Sequence, residues 1–321
     1  MKALVCDSYG PTSILKIKDI KKPIPREKEV LVKIHCSAVN DYDWSMVRGK
    51  PNIYRLLFGI FKPKHPIPGM ELSGVVEACG VGVTNFTGGD TVYGDISYYG
   101  FGSFAEYICI NENALVKKPR NMSFEDAAAL SHAANLAWQG LVDIGKIGQG
   151  MKVLINGAGG GVGSMGLQIA KTFNCTVTGV DTGEKLKMME EIGFDQIIDY
   201  KQQDFTKNGE KYDLILDAKS TRAPKAYIRV LNPGGKYVTV GGELKRILQV
   251  VFAQKVRKKP VYLVPLDANK DLDKIQNLYD SGKIKPVIDG PYPLEKTPWA
   301  IQYFGEGKHH GKVIVSPLQY G

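Results

Sequence analysis

The stretch Val153 to Lys171, VLINGAGGGVGSMGLQIAK, constrains the fold more than any other part of the chain. A short apolar run, Val153-Leu154-Ile155, leads into glycines at 157, 159, 160, 161, 163 and 166, and an amphipathic stretch from Ser164 to Phe173 follows. A buried strand that turns through glycine into a helix aims backbone N–H groups at a point where a pyrophosphate can rest and any side chain would obstruct it. The candidate cradle is Gly157, Ala158, Gly159, Gly160, Gly161, Val162 and Gly163. The bland alternative is a tight strand-to-helix turn that holds no ligand.

The surroundings favour the ligand. Strand and helix patterns alternate from about residue 123, where Ser123 can cap a helix running through Ala127 to Leu141. After the glycine turn come a strand at 176–180, a helix at 184–192, strands at 196–198 and 214–216, a helix at 223–231 and a strand at 237–240. Such alternation implies a doubly wound parallel sheet, an α/β fold. The residues before 121 read instead as short strands between turn clusters, for example Val30 to His35 and Gly74 to Ala78.

A chain of 321 residues has room for two domains. No apolar run reaches the roughly 18 residues of a membrane span. Asp7 interrupts the start MKALVCDSYG where a signal peptide needs its apolar core, so a cytoplasmic protein is expected. Five widely spaced cysteines without a C-x-x-C pair read as reduced and structural. The net charge of +9 would attract a phosphate-bearing ligand, nucleic acid or anionic lipid, and by itself chooses among none of them. The basic run Lys255 to Lys259 reads as a solvated loop, without the interleaved aromatics that stack bases. No nucleic-acid partner is expected, and nothing further supports a peripheral membrane contact.

Asp181, 18 residues after Gly163, stands where the acid that binds the adenosine ribose of NAD is expected. Lys185 and Tyr200 argue the other way, since either can bind a 2′-phosphate. The bland readings are a helix N-terminal acid for Asp181 and a solvated helix face for Lys185.

Several segments in order, SAVNDYDWSMVRG, PGMELSGVVEACG, GSFAEY, AAALSHAANLAWQGL, the glycine turn, DQIIDYKQQDF, KYDLILD, NPGGKYVTVGG and GKIKPVID, resemble the medium-chain dehydrogenase/reductase superfamily. The likeness runs the length of the chain and is strongest to the zinc-independent quinone oxidoreductase and alkenal/enone reductase branch. It implies a GroES-like β-barrel catalytic domain, 1–122 and 260–321, around a Rossmann domain, 123–259, that binds NADPH or NADH.

The resemblance also places departures. The first metal cysteine of zinc-dependent relatives falls at Asn40, and their Gly-His-Glu motif reads Gly69-Met70-Glu71. An amide and a thioether do not replace a thiolate and an imidazole at Zn²⁺, so no metal is expected, with Glu71 structural and Met70 a packing residue. Reduction would then fall on acceptors that are already electron-poor: quinones, or C=C bonds conjugated to a carbonyl. The resemblance puts Asn40 at the nicotinamide and substrate pocket, with a turn-stabilising asparagine as the bland alternative, and turns His132 toward the cleft, as a proton donor or as a hydrogen-bonded structural residue. Tyr54 is a candidate for gating the pocket or supplying the proton, or else an aromatic of the apolar run at 56–61. Val240, Gly241 and Gly242 are expected to border the nicotinamide, since bare backbone permits close approach. Leu136 stands where many relatives carry a threonine. A homodimer is implied by likeness alone. Rival readings are a nucleotide-binding protein without turnover, acting through its basic surface, and an alcohol dehydrogenase, which would require metal.

Overall fold

The computed structural model describes residues 1–317. They form two compact units, Met1–His132 together with the chain from Ile288 onward, and Ala133–Val287 between them.

The first unit opens with β1 (Lys2–Val5) and β2 (Lys16–Asp19), a two-stranded antiparallel pair. Then come β3 (Glu29–Ala38), helices α1 (Asp41–Arg48) and α2 (Ile53–Phe58), β4 (Glu71–Cys79), β5 (Thr91–Asp95), β6 (Tyr107–Asn111), β7 (Val116–Lys117) and α3 (Phe124–Leu130). The alternating residues of β3, Val30, Val32 and Ile34, meet Leu72, Val76, Val92 and Ile108 in an apolar core.

The second unit begins with α4 (Ala133–Trp138) and continues β8 (Lys152–Asn156), α5 (Gly161–Lys171), β9 (Thr176–Asp181), α6 (Lys185–Glu191), β10 (Gln196–Asp199), β11 (Tyr212–Asp217), α7 (Pro224–Ile228), β12 (Leu231–Thr239), α8 (Leu244–Lys255), β13 (Val261–Leu263) and α9 (Leu272–Asp280). Its six strands are parallel in the order β10-β9-β8-β11-β12-β13. The direction of winding therefore reverses between β8 and β11, where open α/β sheets bind their ligands beyond the strand C-termini. The chain then returns through β14 (Ile288–Pro293), α10 (Thr297–Gly305) and β15 (Lys312–Ser316), and β15 pairs with β3 to complete a seven-stranded sheet in the first unit.

Three expectations change. The boundaries are 132/133 and 287/288 rather than 122/123 and 259/260. Ala128 and Ala129 of α3 pack on Cys36 and Ala38 of β3, which ties 123–132 to the first unit, and β13 pairs with β12, which keeps 261–263 in the second. The single helix expected over 127–141 is broken after Leu130. There the His132 N–H donates to Glu71 (2.6 Å) rather than to a carbonyl of the helix, and the Ser131 hydroxyl donates to the same oxygen (2.8 Å). Finally, the basic run is not simply a loop, because Lys255 is the last residue of α8 and only 256–259 lie beyond it.

Candidate functional site

The second unit carries the glycine cradle. β8 delivers the chain to Gly157, whose φ of +83° suits a residue without a Cβ. At Gly163, in the first turn of α5, a Cβ would stand 2.3 Å from the Gly157 carbonyl oxygen, so the loop closes against the helix only over glycine. The helix begins at Gly161, three residues earlier than the amphipathic pattern indicated, and puts more of the glycines at its N-terminus.

Asp181, at the end of β9, is buried and committed to this loop. One carboxylate oxygen accepts the Gly159 N–H (2.9 Å), and the other accepts the Thr182 N–H (3.0 Å). Lys185 is buried rather than solvated, with its Nζ 3.8 Å from Asp181 and its stem against Gly159. Burial pulls the Lys185 ammonium below its ordinary pKa, against the pull of Asp181, while Lys219 adds to the lowering. Tyr200 donates its N–H to the Asp181 carbonyl and leaves its ring half exposed.

No sequence motif marks Lys219. It follows β11 and packs over Gly157, where a Cβ would meet its Cγ at 2.9 Å. Its loop is pinned by buried Asp217, which accepts from the N–H groups of Lys219 and Ser220 (2.9 and 2.8 Å), from Asn156 Nδ2 (2.8 Å) and from the Tyr237 hydroxyl (2.9 Å). The available signal was topological: the acid ending KYDLILD sits at the C-terminal edge of the strand neighbouring β8. Beyond β12, Ser220 Oγ hydrogen-bonds Thr239 Oγ1 (2.5 Å) and donates to the Gly241 carbonyl. Gly242 lies against Ser220, so the Val240-Gly241-Gly242 segment is held beside the same loop.

The first unit carries a buried polar network around Glu71, which has no exposed surface. Asn40 precedes α1 in extended conformation, and its N–H is taken by Asp43 Oδ2 (2.8 Å). Asn40 Nδ2 donates to Glu71 Oε2 (2.8 Å), and its Oδ1 accepts from Lys312 Nζ (2.5 Å). Lys312, from β15, also pairs with Glu71 Oε2 at 2.5 Å. The other Glu71 oxygen takes the Ser131 and His132 donors described above. The carboxylate is thus fully engaged, as the structural reading of Glu71 expected, and Met70 beside it is completely buried. Asp43 also accepts the Gly69 N–H (2.9 Å); burial pushes its carboxyl up to about 7 against these two donors.

His132 joins the network from the helix break. Its Nδ1 is 2.7 Å from Asp95 Oδ2, at the end of β5. Burial pushes the Asp95 carboxyl up, but the hydrogen bond and charge of His132 outweigh it and leave it below its ordinary range. This orients the ring with Nε2 as its free nitrogen. Tyr54, on α2, belongs to a different cluster: its ring is 6.1 Å from Tyr42 edge-on and 5.8 Å from Phe58 stacked, and burial raises its hydroxyl pKa. Leu136 is buried in α4. Among the described residues, no three His, Cys, Asp or Glu side chains group as a metal set.

Residues 26–120 match the alcohol dehydrogenase GroES-like domain, and 192–315 match a model described as zinc-binding dehydrogenase. The chain is 33% identical over 330 residues to the 2-methylene-furan-3-one reductase of Solanum lycopersicum, covering 99% of this chain and 79% of that protein. It is 32% identical to the chloroplastic NADPH-dependent alkenal/one oxidoreductase of Arabidopsis thaliana, covering 99% and 80%. The solved quinone oxidoreductase of Coxiella burnetii superposes with a TM-score of 0.88 at 26% identity over 99% of each chain. By these likenesses and by its two folds, the chain belongs to the medium-chain dehydrogenase/reductase superfamily, in its quinone oxidoreductase and alkenal/enone reductase branch.

Proposed function

We propose that this protein is a zinc-independent, NADPH-dependent reductase of quinones and α,β-unsaturated carbonyls. The observation that carries the reading is the cradle at 157–163, closed over Gly163 and flanked by Lys185 and Lys219. Backbone N–H groups at the start of α5 suit a pyrophosphate. With both Asp181 oxygens engaged and a lysine beside it, the adenosine end is better furnished for a 2′-phosphate than for a bare ribose.

Held by the cradle at 157–163, NADPH would supply hydride chemistry for the electron-poor carbon of the acceptor. What the chain must add is a proton at the other end of the reduced bond and neutralisation of the oxygen that gains charge. His132 is the proposed proton source, delivering from Nε2 while Asp95 holds Nδ1–H and stabilises the charged ring. Lys312 supports the zinc-free reading, because its ammonium already neutralises Glu71. Asn40, fixed at both ends of its amide, is the proposed neighbour of the nicotinamide. Tyr54 is the weaker proton donor of the two candidates, since a raised phenol pKa slows proton release. A homodimer is part of the proposal, and sedimentation equilibrium finding only monomer would remove it.

The test is NADPH consumption with a panel of 2-alkenals, cyclic enones and quinones, before and after dialysis against a chelator. Turnover that survives dialysis supports the proposal; nucleotide binding without turnover on any acceptor would overturn it.

A further inference from the structure

The helix α8 has two faces of different use. Val250 is buried and Ala253 packs into the core of the second unit, beside Tyr237 and Val261. The opposite face is apolar as well. Leu244, Leu248 and Phe252, spaced four residues apart, are 42%, 60% and 50% exposed, and Val256 just past the helix end is 63% exposed. With Lys245 and Gln249, the first three line a shallow surface groove. Three large apolar side chains in one row on the water-facing side of a helix, continued by Val256 past its end, mark a contact surface rather than scatter.

The charge around the row says what it meets. Between Leu244 and Leu266 there are six basic residues, Lys245, Arg246, Lys255, Arg257, Lys258 and Lys259, and no acidic one. Among the described residues no carboxylate lies within ion-pair distance of Lys245, Lys255, Arg257, Lys258 or Lys259. The Arg257 guanidinium sits over the Phe252 ring, 5.3 Å from its centre, placing a cation directly above an exposed aromatic face. A second copy of this chain would bring like charges together across the seam. A nucleic acid would answer the charge and leave the apolar row in water. An anionic lipid surface answers both, with acyl chains for the row and headgroup phosphates for the rim.

We propose that the exposed row of α8 and the basic rim at 255–259 dock this protein onto anionic lipid surfaces. No helix among the described residues is long and apolar enough to cross a membrane, and the contact is interfacial. Leu248 and Phe252 enter the boundary between headgroups and acyl chains, while Lys255, Arg257, Lys258 and Lys259 lie at the phosphates. The inference is independent of the reductase reading.

The experiment is flotation of the whole protein with vesicles of phosphatidylcholine alone or mixed with phosphatidylglycerol. The protein is expected to float with the mixed vesicles and not with the neutral ones, less so as salt rises. Leu248→Gln with Phe252→Gln should weaken partition at least about ten-fold, from the apolar area withdrawn. Lys255→Gln, Lys258→Gln and Lys259→Gln together should weaken it by roughly five-fold per charge. Unchanged melting temperatures would show that both variants are folded. No flotation, anionic binding that the apolar pair does not alter, or a dimer of the parent protein that the apolar pair dissociates would each overturn the proposal. Binding to RNA that the apolar pair weakens as strongly would assign the surface to nucleic acid instead.

Discussion

His132 and Asp95 form the pair on which the proposed proton delivery depends, and their contact makes a prediction with a sign. A carboxyl whose folded pKa lies below its unfolded value adds stability above the ordinary carboxylate range and loses it as the pH falls through the depressed value. His132→Asn should therefore raise the pH midpoint of acid unfolding, and should lower kcat by roughly 100-fold with little change in KM for NADPH. An unchanged pH–rate profile would remove His132 from the chemistry. Lys312→Met leaves the Glu71 carboxylate buried with neutral donors only, at a cost of about 3–5 kcal/mol in urea unfolding. Lys185→Ala should raise KM for NADPH more than for NADH. At this scale the sequence was half legible. Asn40 and His132 came from motif likeness, but their partners Lys312, Glu71 and Asp95 lie 272, 31 and 37 residues away and carry no local mark. Asp181 and Lys185 were visible as a conflict between two cofactors, and only geometry shows the lysine and the acid facing each other.

Among the elements, the strand, glycine turn and helix around α5 were the most legible, because the turn can be made by glycine alone. Gly163→Ala should weaken NADPH binding at least about ten-fold by isothermal titration, since its Cβ would stand 2.3 Å from the Gly157 oxygen and 2.6 Å from that of Ala158. Retained affinity would show that the cradle is not closed in this way. The single helix expected over 127–141 is broken in the structure for a physical reason. Its propensity is continuous, but the His132 N–H at its middle serves a buried carboxylate instead of the helix, with the Ser131 hydroxyl beside it on the same oxygen. α8 was also hidden, because its exposed side is apolar and blurs the usual amphipathic pattern.

The whole molecule joins two folds through one chain that leaves the first unit after His132 and re-enters it at Ile288. The alternation of strands and helices announced the Rossmann sheet, whereas the split sheet of the first unit, closed by β15 on β3, rests on pairings between distant segments and was reached through likeness. The five cysteines are all free thiols, and burial pushes Cys6 and Cys109 up to about 11. At pH 8 about one in a thousand of each is thiolate, so alkylation of the folded protein should spare both and unfolding should expose them. Cofactor and chemistry are read together in kcat/KM for NADPH and for NADH with one 2-alkenal acceptor, measured on chelator-dialysed protein. Turnover that dialysis leaves intact and a clear preference for NADPH are expected; a preference for NADH, or activity lost with the metal and restored by zinc, would overturn the zinc-free, NADPH-dependent reading.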